Sequence, residues 1–124
     1  MELIHTCYRV VELERSVAFY RALGLEEVGR MDVGDEAVNV FMGLPGDGPR
    51  LELTWNRDRS EPYEIGDGYG HVAITAADLD ATLSALGEHG IEPERPPYSL
   101  REGGTRICFV RDPDGYRIEL IERA

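Results

Sequence analysis

The chain has 124 residues, 42% of them apolar and 30% charged, and carries a net charge of −11. That length suits one domain, or two small modules sharing a core, and the negative charge argues against nucleic acid and anionic membrane surfaces as partners. No apolar run approaches the roughly 18 residues that span a bilayer, and the N-terminus lacks a signal-peptide pattern, so a cytoplasmic location is expected. All 13 basic residues are Arg, a composition that would suit a salt-adapted or GC-rich source. Cys7 and Cys108 are too few for a disulfide framework and show no CxxC spacing, so both are expected as reduced, buried thiols.

In chain order, Ile4–Val10 is short and β-prone. A helix is expected from about Leu13 to Leu23, where Val17, Phe19, Tyr20 and Leu23 fall near i, i+3, i+4 spacing. Gly24 supplies its stop. Strand-like runs follow at Glu26–Met31, Ala37–Met42 and Arg50–Trp55, separated by Gly- and Pro-rich turns. The pattern then repeats: a strand at Tyr69–Thr75, a helix at Ala77–His89 with Asp78 near its start, a stop at Gly90, and strands near Ile91–Glu94, Thr105–Val110 and Tyr116–Glu122. Asp112-Pro113-Asp114-Gly115 reads as a hairpin turn, since Pro presets φ and Gly tolerates positive φ. The expectation is an α+β chain of tandem βαβββ modules, about 1–60 and 67–124, forming curved mixed sheets with the helices outside.

The duplication carries chemistry with it. At an offset of 66 positions His5 meets His71 and Gly24 meets Gly90; at 67, Leu51-Glu52-Leu53 meets Ile118-Glu119-Leu120. Strand alternation sets His5, Cys7 and Arg9 on one face of their strand, and Glu52, Thr54 and Asn56 on one face of theirs. Glu52 and Glu119 each lie between apolar neighbours that point the other way. A buried carboxylate without a partner is costly, so each needs a cation or an exposed face. Any one of the four alone would pass for a solvent-facing residue of a half-exposed strand. As a symmetric set, His5, Glu52, His71 and Glu119 favour a shared divalent metal. Two imidazoles and two carboxylates suit Ni, Co, Zn, Mn or Fe(II), and the absence of a thiolate argues against a closed structural zinc site.

Four segments then become recognisable: His5-Thr6-Cys7-Tyr8-Arg9-Val10, Leu51-Glu52-Leu53-Thr54-Trp55-Asn56, Tyr69-Gly70-His71-Val72-Ala73, and the run from Phe109 through Asp112-Pro113-Asp114-Gly115-Tyr116-Arg117-Ile118-Glu119-Leu120 to Ile121. Together, over nearly the whole chain and in order, they resemble the glyoxalase I family of lactoylglutathione lyases, in the vicinal oxygen chelate superfamily. The resemblance implies a homodimer in which His5 and Glu52 of one chain join His71 and Glu119 of the other around a divalent ion, Ni or Co ahead of Zn or Mn. It implies isomerisation of the hemithioacetal of methylglyoxal and glutathione, through a metal-chelated cis-enediolate, to S-lactoylglutathione. By the same resemblance Glu119 is the base, Glu52 its counterpart, and Arg9 and Asn56 hold the glutathione portion. Phe109 reads either as a pocket wall or as a plain core residue. Asp67 departs from the family, replacing the basic residue that eukaryotic members use for the thiol. Arg101-Glu102-Gly103-Gly104 departs as well, so a related thiol such as γ-glutamylcysteine stays open. His89, at a helix end, is expected to complement the helix dipole and not to bind metal. Competing readings are another metal enzyme of the same scaffold, such as an epimerase or a fosfomycin-type thiol transferase, and a ligand-sequestering resistance protein without the metal set.

Overall fold

The computed structural model describes residues 1–123. The chain divides into two compact units at Glu64/Ile65, and each has the same plan. The first unit runs β1 (Thr6–Val10), α1 (Leu13–Ala22), β2 (Glu26–Val33), β3 (Ala37–Gly43) and β4 (Pro49–Asn56). Its four strands form one sheet in the order β1-β4-β3-β2, with β1 and β4 parallel and the other pairs antiparallel. The second unit runs β5 (Val72–Ala76), α2 (Leu79–Glu88), β6 (Tyr98–Ser99), β7 (Arg106–Arg111) and β8 (Arg117–Glu122). Its order, β5-β8-β7-β6, repeats that topology, again with a single parallel pair.

Alternation along β1, β4 and β8, with the more continuously buried β3 and β7 between, gives each sheet an apolar face against which its helix lies. In the first unit Tyr8, Val10, Val40, Met42, Leu51 and Leu53 are buried together with Val17 and Tyr20 of α1. In the second, Cys108, Val110, Ile118 and Leu120 are buried with Leu79 and Leu86 of α2. Both helices end by the same device. Gly24 and Gly90 take positive φ (97° and 76°), and the next residue's amide reaches back into the last turn: Leu25 N–H donates to the Tyr20 carbonyl and Ile91 N–H to the Leu86 carbonyl, both at 3.0 Å. The helix starts differ. Asp78 caps α2, its carboxylate accepting from the Ala81 amide at 3.0 Å, while Glu12 at the start of α1 makes no such bond.

Three expectations need correction. Ile91–Glu94 is not a strand. Pro93 removes a ladder donor within it and Pro96 and Pro97 remove two more just after it; the Glu94 amide still reaches β7, donating to the Phe109 carbonyl at 2.8 Å. Pairing is deferred to the two residues of β6, whereas its counterpart β2 has eight. Strands β1 and β5 begin later than expected, so His5 and His71 each lie one residue before their strand. Finally, Cys108 is buried but Cys7 is exposed: β1 is an edge strand, and Cys7 is on the face away from α1.

Candidate metal centre

Each unit builds the same trio on the face of its sheet turned away from its helix. In the first, β1 and β4 are parallel neighbours with Cys7 opposite Glu52, which brings His5, two residues earlier, alongside the carboxylate. The His5 Nε2 to Glu52 Oε2 distance is 3.1 Å. In the second, Ala73 stands opposite Glu119 in the same way, and His71 Nε2 lies 3.2 Å from Glu119 Oε1. The two carboxylates are 16% and 14% exposed, less than the imidazoles at 31% and 39%, because Leu51 and Leu53, like Ile118 and Leu120, draw each glutamate strand down into its core. A third member completes each trio. Phe41 stands opposite Glu52 on β3 and meets the His5 ring edge-on at 5.7 Å; Phe109 stands opposite Glu119 on β7 and meets His71 at 5.3 Å. Phe41 is missing from the sequence reading. Its signal was available only through strand register, since the two phenylalanines are 68 positions apart and escape the offsets of 66 and 67.

The pairs suit a divalent cation. An imidazole nitrogen and a carboxylate oxygen bound to one ion at about 2.1 Å, at octahedral or tetrahedral angles, stand roughly 3.0 to 3.4 Å apart. The observed separations of 3.1 and 3.2 Å fall in that window. Each unit supplies only two donors, and among the described residues no group of three or more His, Cys, Asp and Glu side chains comes together. Partial desolvation of its sulfur pushes the Cys7 thiol up, with the Thr54 hydrogen bond opposing and the Glu52 charge reinforcing that shift.

The remaining candidates divide between the units. Arg9 and Asn56 share the His5–Glu52 face, Arg9 opposite Thr54 and Asn56 at the end of β4. The Asn56 amide oxygen accepts from the Tyr63 hydroxyl at 3.4 Å, and Thr54 links to Asn39 at 2.9 Å and to Cys7 at 3.3 Å. Phe109 belongs to the other unit, buried beside His71 with the Arg117 guanidinium stacked 3.8 Å above its ring centre. His89 occupies the C-cap of α2, as its place beside Gly90 predicts. No helix among the described residues is long and apolar enough to cross a membrane.

The family model for the glyoxalase/bleomycin resistance protein/dioxygenase superfamily matches residues 2–120. A putative lactoylglutathione lyase of Brassica oleracea var. gemmifera is 39% identical over 97% of this chain, which spans only 44% of that protein. A probable lactoylglutathione lyase of Synechocystis sp. is 36% identical, with 98% of this chain and 95% of the relative covered. The chain thus spans less than half the length of the plant relative but nearly all of the cyanobacterial one. Among solved structures, glyoxalase I from Zea mays superposes with a TM-score of 0.87 at 37% identity, over 98% of this chain and 44% of that one. With a whole-chain family match, tandem βαβββ units and near-full-length relatives, the chain belongs to the glyoxalase/bleomycin resistance protein/dioxygenase superfamily, in the group that includes proteins named lactoylglutathione lyase.

Proposed function

We propose that the protein is a metal-dependent lactoylglutathione lyase that isomerises the hemithioacetal of methylglyoxal and glutathione, or a related thiol, and so detoxifies methylglyoxal. The observation that carries this reading is the duplicated His–Glu contact, 3.1 Å in one unit and 3.2 Å in the other. Relatives that match almost end to end, from Synechocystis sp. and Neisseria meningitidis, bear the lactoylglutathione lyase name.

His5, Glu52, His71 and Glu119 would hold one divalent ion, nickel or cobalt ahead of zinc or manganese. The working form would be a homodimer in which each ion takes His5 and Glu52 from one chain and His71 and Glu119 from the other. When bound, such an ion offsets the negative charge that develops on two neighbouring substrate oxygens as a carbon-bound proton leaves. Glu119 takes that proton and returns it to the adjacent carbon, its mostly covered carboxylate standing beside Phe109 on the neighbouring strand. Glu52 handles the proton on the opposite side. His5 and His71 remain ligands, their rings held by Phe41 and Phe109. Arg9 pairs with a substrate carboxylate, and Asn56 both donates to and accepts from the peptide part. We treat residues 1–124 as one domain of two repeats. We place it in the cytoplasm, where its two unbonded cysteines would stay reduced.

The test is reconstitution of the protein with nickel, cobalt and zinc separately, followed by methylglyoxal with glutathione and with γ-glutamylcysteine. Thioester should form at a rate that depends on the metal. No thioester with any metal and either thiol removes the lyase assignment.

A further inference from the structure

The two halves of the duplication keep the same arginine and use it differently. Arg50 stands two residues before Glu52, as Arg117 stands two before Glu119. Arg50, near the start of β4, forks onto Asp47 in the preceding loop at 2.8 and 2.9 Å. Arg117 instead forks onto Glu94, at 2.8 to 3.1 Å, and lays its guanidinium 3.8 Å over the centre of the Phe109 ring. Glu94 is itself tied at two more points: Arg111 reaches it at 3.0 Å, and its own amide donates to the Phe109 carbonyl at 2.8 Å. The chain of contacts is therefore closed. Glu94 is fixed to the backbone of Phe109, holds Arg117 on the ring of Phe109, and that ring packs edge-on against His71. In the first unit the strand beside Phe41 presents Gly29, and even a Cβ there would sit 3.7 Å from the ring.

We propose that Glu94 and Arg117 are positioning residues for His71. They clamp Phe109 so that the His71–Glu119 pair is pre-set for its ion, while the unclamped His5–Glu52 pair adjusts to it. The proposal rests on these pairs being metal ligands, but part of its test does not. A bidentate guanidinium–carboxylate fork has a defined geometry, and a cation stacked on a ring fixes that ring's plane. Phe109, held at its ring by Arg117 and at its carbonyl by the Glu94 amide, leaves His71 fewer rotamers to lose on binding an ion, and that entropy otherwise counts against affinity.

Glu94→Gln and Arg117→Leu are compared with the control Arg50→Gln by NMR of the three histidine rings in metal-free protein, and by nickel titration against a competing chelator. In both clamp variants the His71 ring resonances should move toward those of exposed His89, with His5 unchanged. Nickel affinity should fall roughly threefold to tenfold, the size of a lost aromatic contact. Arg117→Lys, which keeps charge near the ring but loses the fork, should fall between. Arg50→Gln should move neither readout. The proposal is overturned if His71 stays in place in both variants, if His5 and His71 shift together, or if His71 shifts and nickel affinity does not. If the unmutated protein takes up no nickel, cobalt or zinc, it is the metal reading that fails, and the His71 resonances alone decide whether the clamp exists.

Discussion

Replacing Glu119 by Gln separates its two assigned roles. The substitution keeps volume, planarity and one carbonyl oxygen, so the 3.2 Å approach to the His71 ring can persist. It removes the charge and nearly all basicity. The side chain is mostly covered and its strand neighbours Ile118 and Leu120 are unaffected, so the thermal midpoint should hardly move. As a ligand, Glu119 is matched by Glu52, which has the same exposure and the same imidazole distance to within 0.1 Å. Loss of either charge should therefore weaken metal binding to a similar degree. As the proposed base Glu119 carries the larger part: a positioned proton acceptor contributes about 100- to 10,000-fold to rate, or about 3 to 5.5 kcal/mol at 1.36 kcal/mol per decade. The assay is kcat for Glu119→Gln and Glu52→Gln, each loaded with nickel and with metal content measured on the same sample. Glu119→Gln should fall by at least 100-fold at full occupancy, with a smaller loss for Glu52→Gln. A kcat for Glu119→Gln within tenfold of the unmutated protein would refute its role as base. Equal losses in the two variants would refute the inequality of the carboxylates.

Three further outcomes follow from the fold. Gly43→Ala should destabilise by about 2 kcal/mol or more, measured by urea unfolding, because its Cβ would overlap the Gly48 carbonyl oxygen across the irregular β3–β4 pairing and backbone cannot swing aside as a side chain can; an unchanged midpoint would refute that close approach. Asp78→Ala should cost about 1 kcal/mol through loss of the α2 cap, whereas Glu12→Ala at the uncapped start of α1 should cost much less. Acid should destabilise the fold in a definite window. Hydrogen bonds from Arg30, Arg117 and Arg106 hold the Glu27, Glu94 and Glu122 carboxyls below their usual range. Between the folded and unfolded values the unfolded chain binds more protons, so this stabilisation is complete above about pH 4.3 and is lost as pH falls through the lowered folded values. A thermal midpoint that does not fall from pH 5 to pH 3 would contradict it.

The elements readable from the sequence were those set by local chemistry. The Gly24 and Gly90 stops, the Asp78 cap, the Asp112–Gly115 turn and the alternating core of β4 and β8 all follow from nearest neighbours and period. The strand set at Ile91–Glu94 failed because three prolines outweigh an apolar start, and their effect depends on which face of the chain needs donors. The exposure of Cys7 was hidden because a sequence does not say which strand lies at the sheet edge. The His–Glu pairs were legible because duplication wrote them twice. Phe41 was not, because its tie to Glu52 is cross-strand register and only folding creates it.

Register also explains how a duplicated site becomes unequal. Both halves inherit a His before the first strand, a Glu in the last, a Phe opposite that Glu and an Arg two residues before it. What differs is the second strand. In the first unit it is the eight-residue β2, paired with β3 on both sides of an irregularity at Val28, which places Gly29 beside Phe41 and leaves Arg50 to a loop aspartate. In the second unit the prolines shorten it to β6 and leave the preceding segment held at the Glu94 amide. Freed from a regular ladder, that segment puts a carboxylate where Arg117 can reach it and still cover Phe109. The change in backbone pairing, together with a glutamate where the first half has Val28, sets an arginine over one phenylalanine and not the other while every candidate ligand is kept in both halves. On this reasoning the proline run and not the ligand set is where the two halves parted, and restoring a pairing strand there should loosen His71 without touching any residue of the pair.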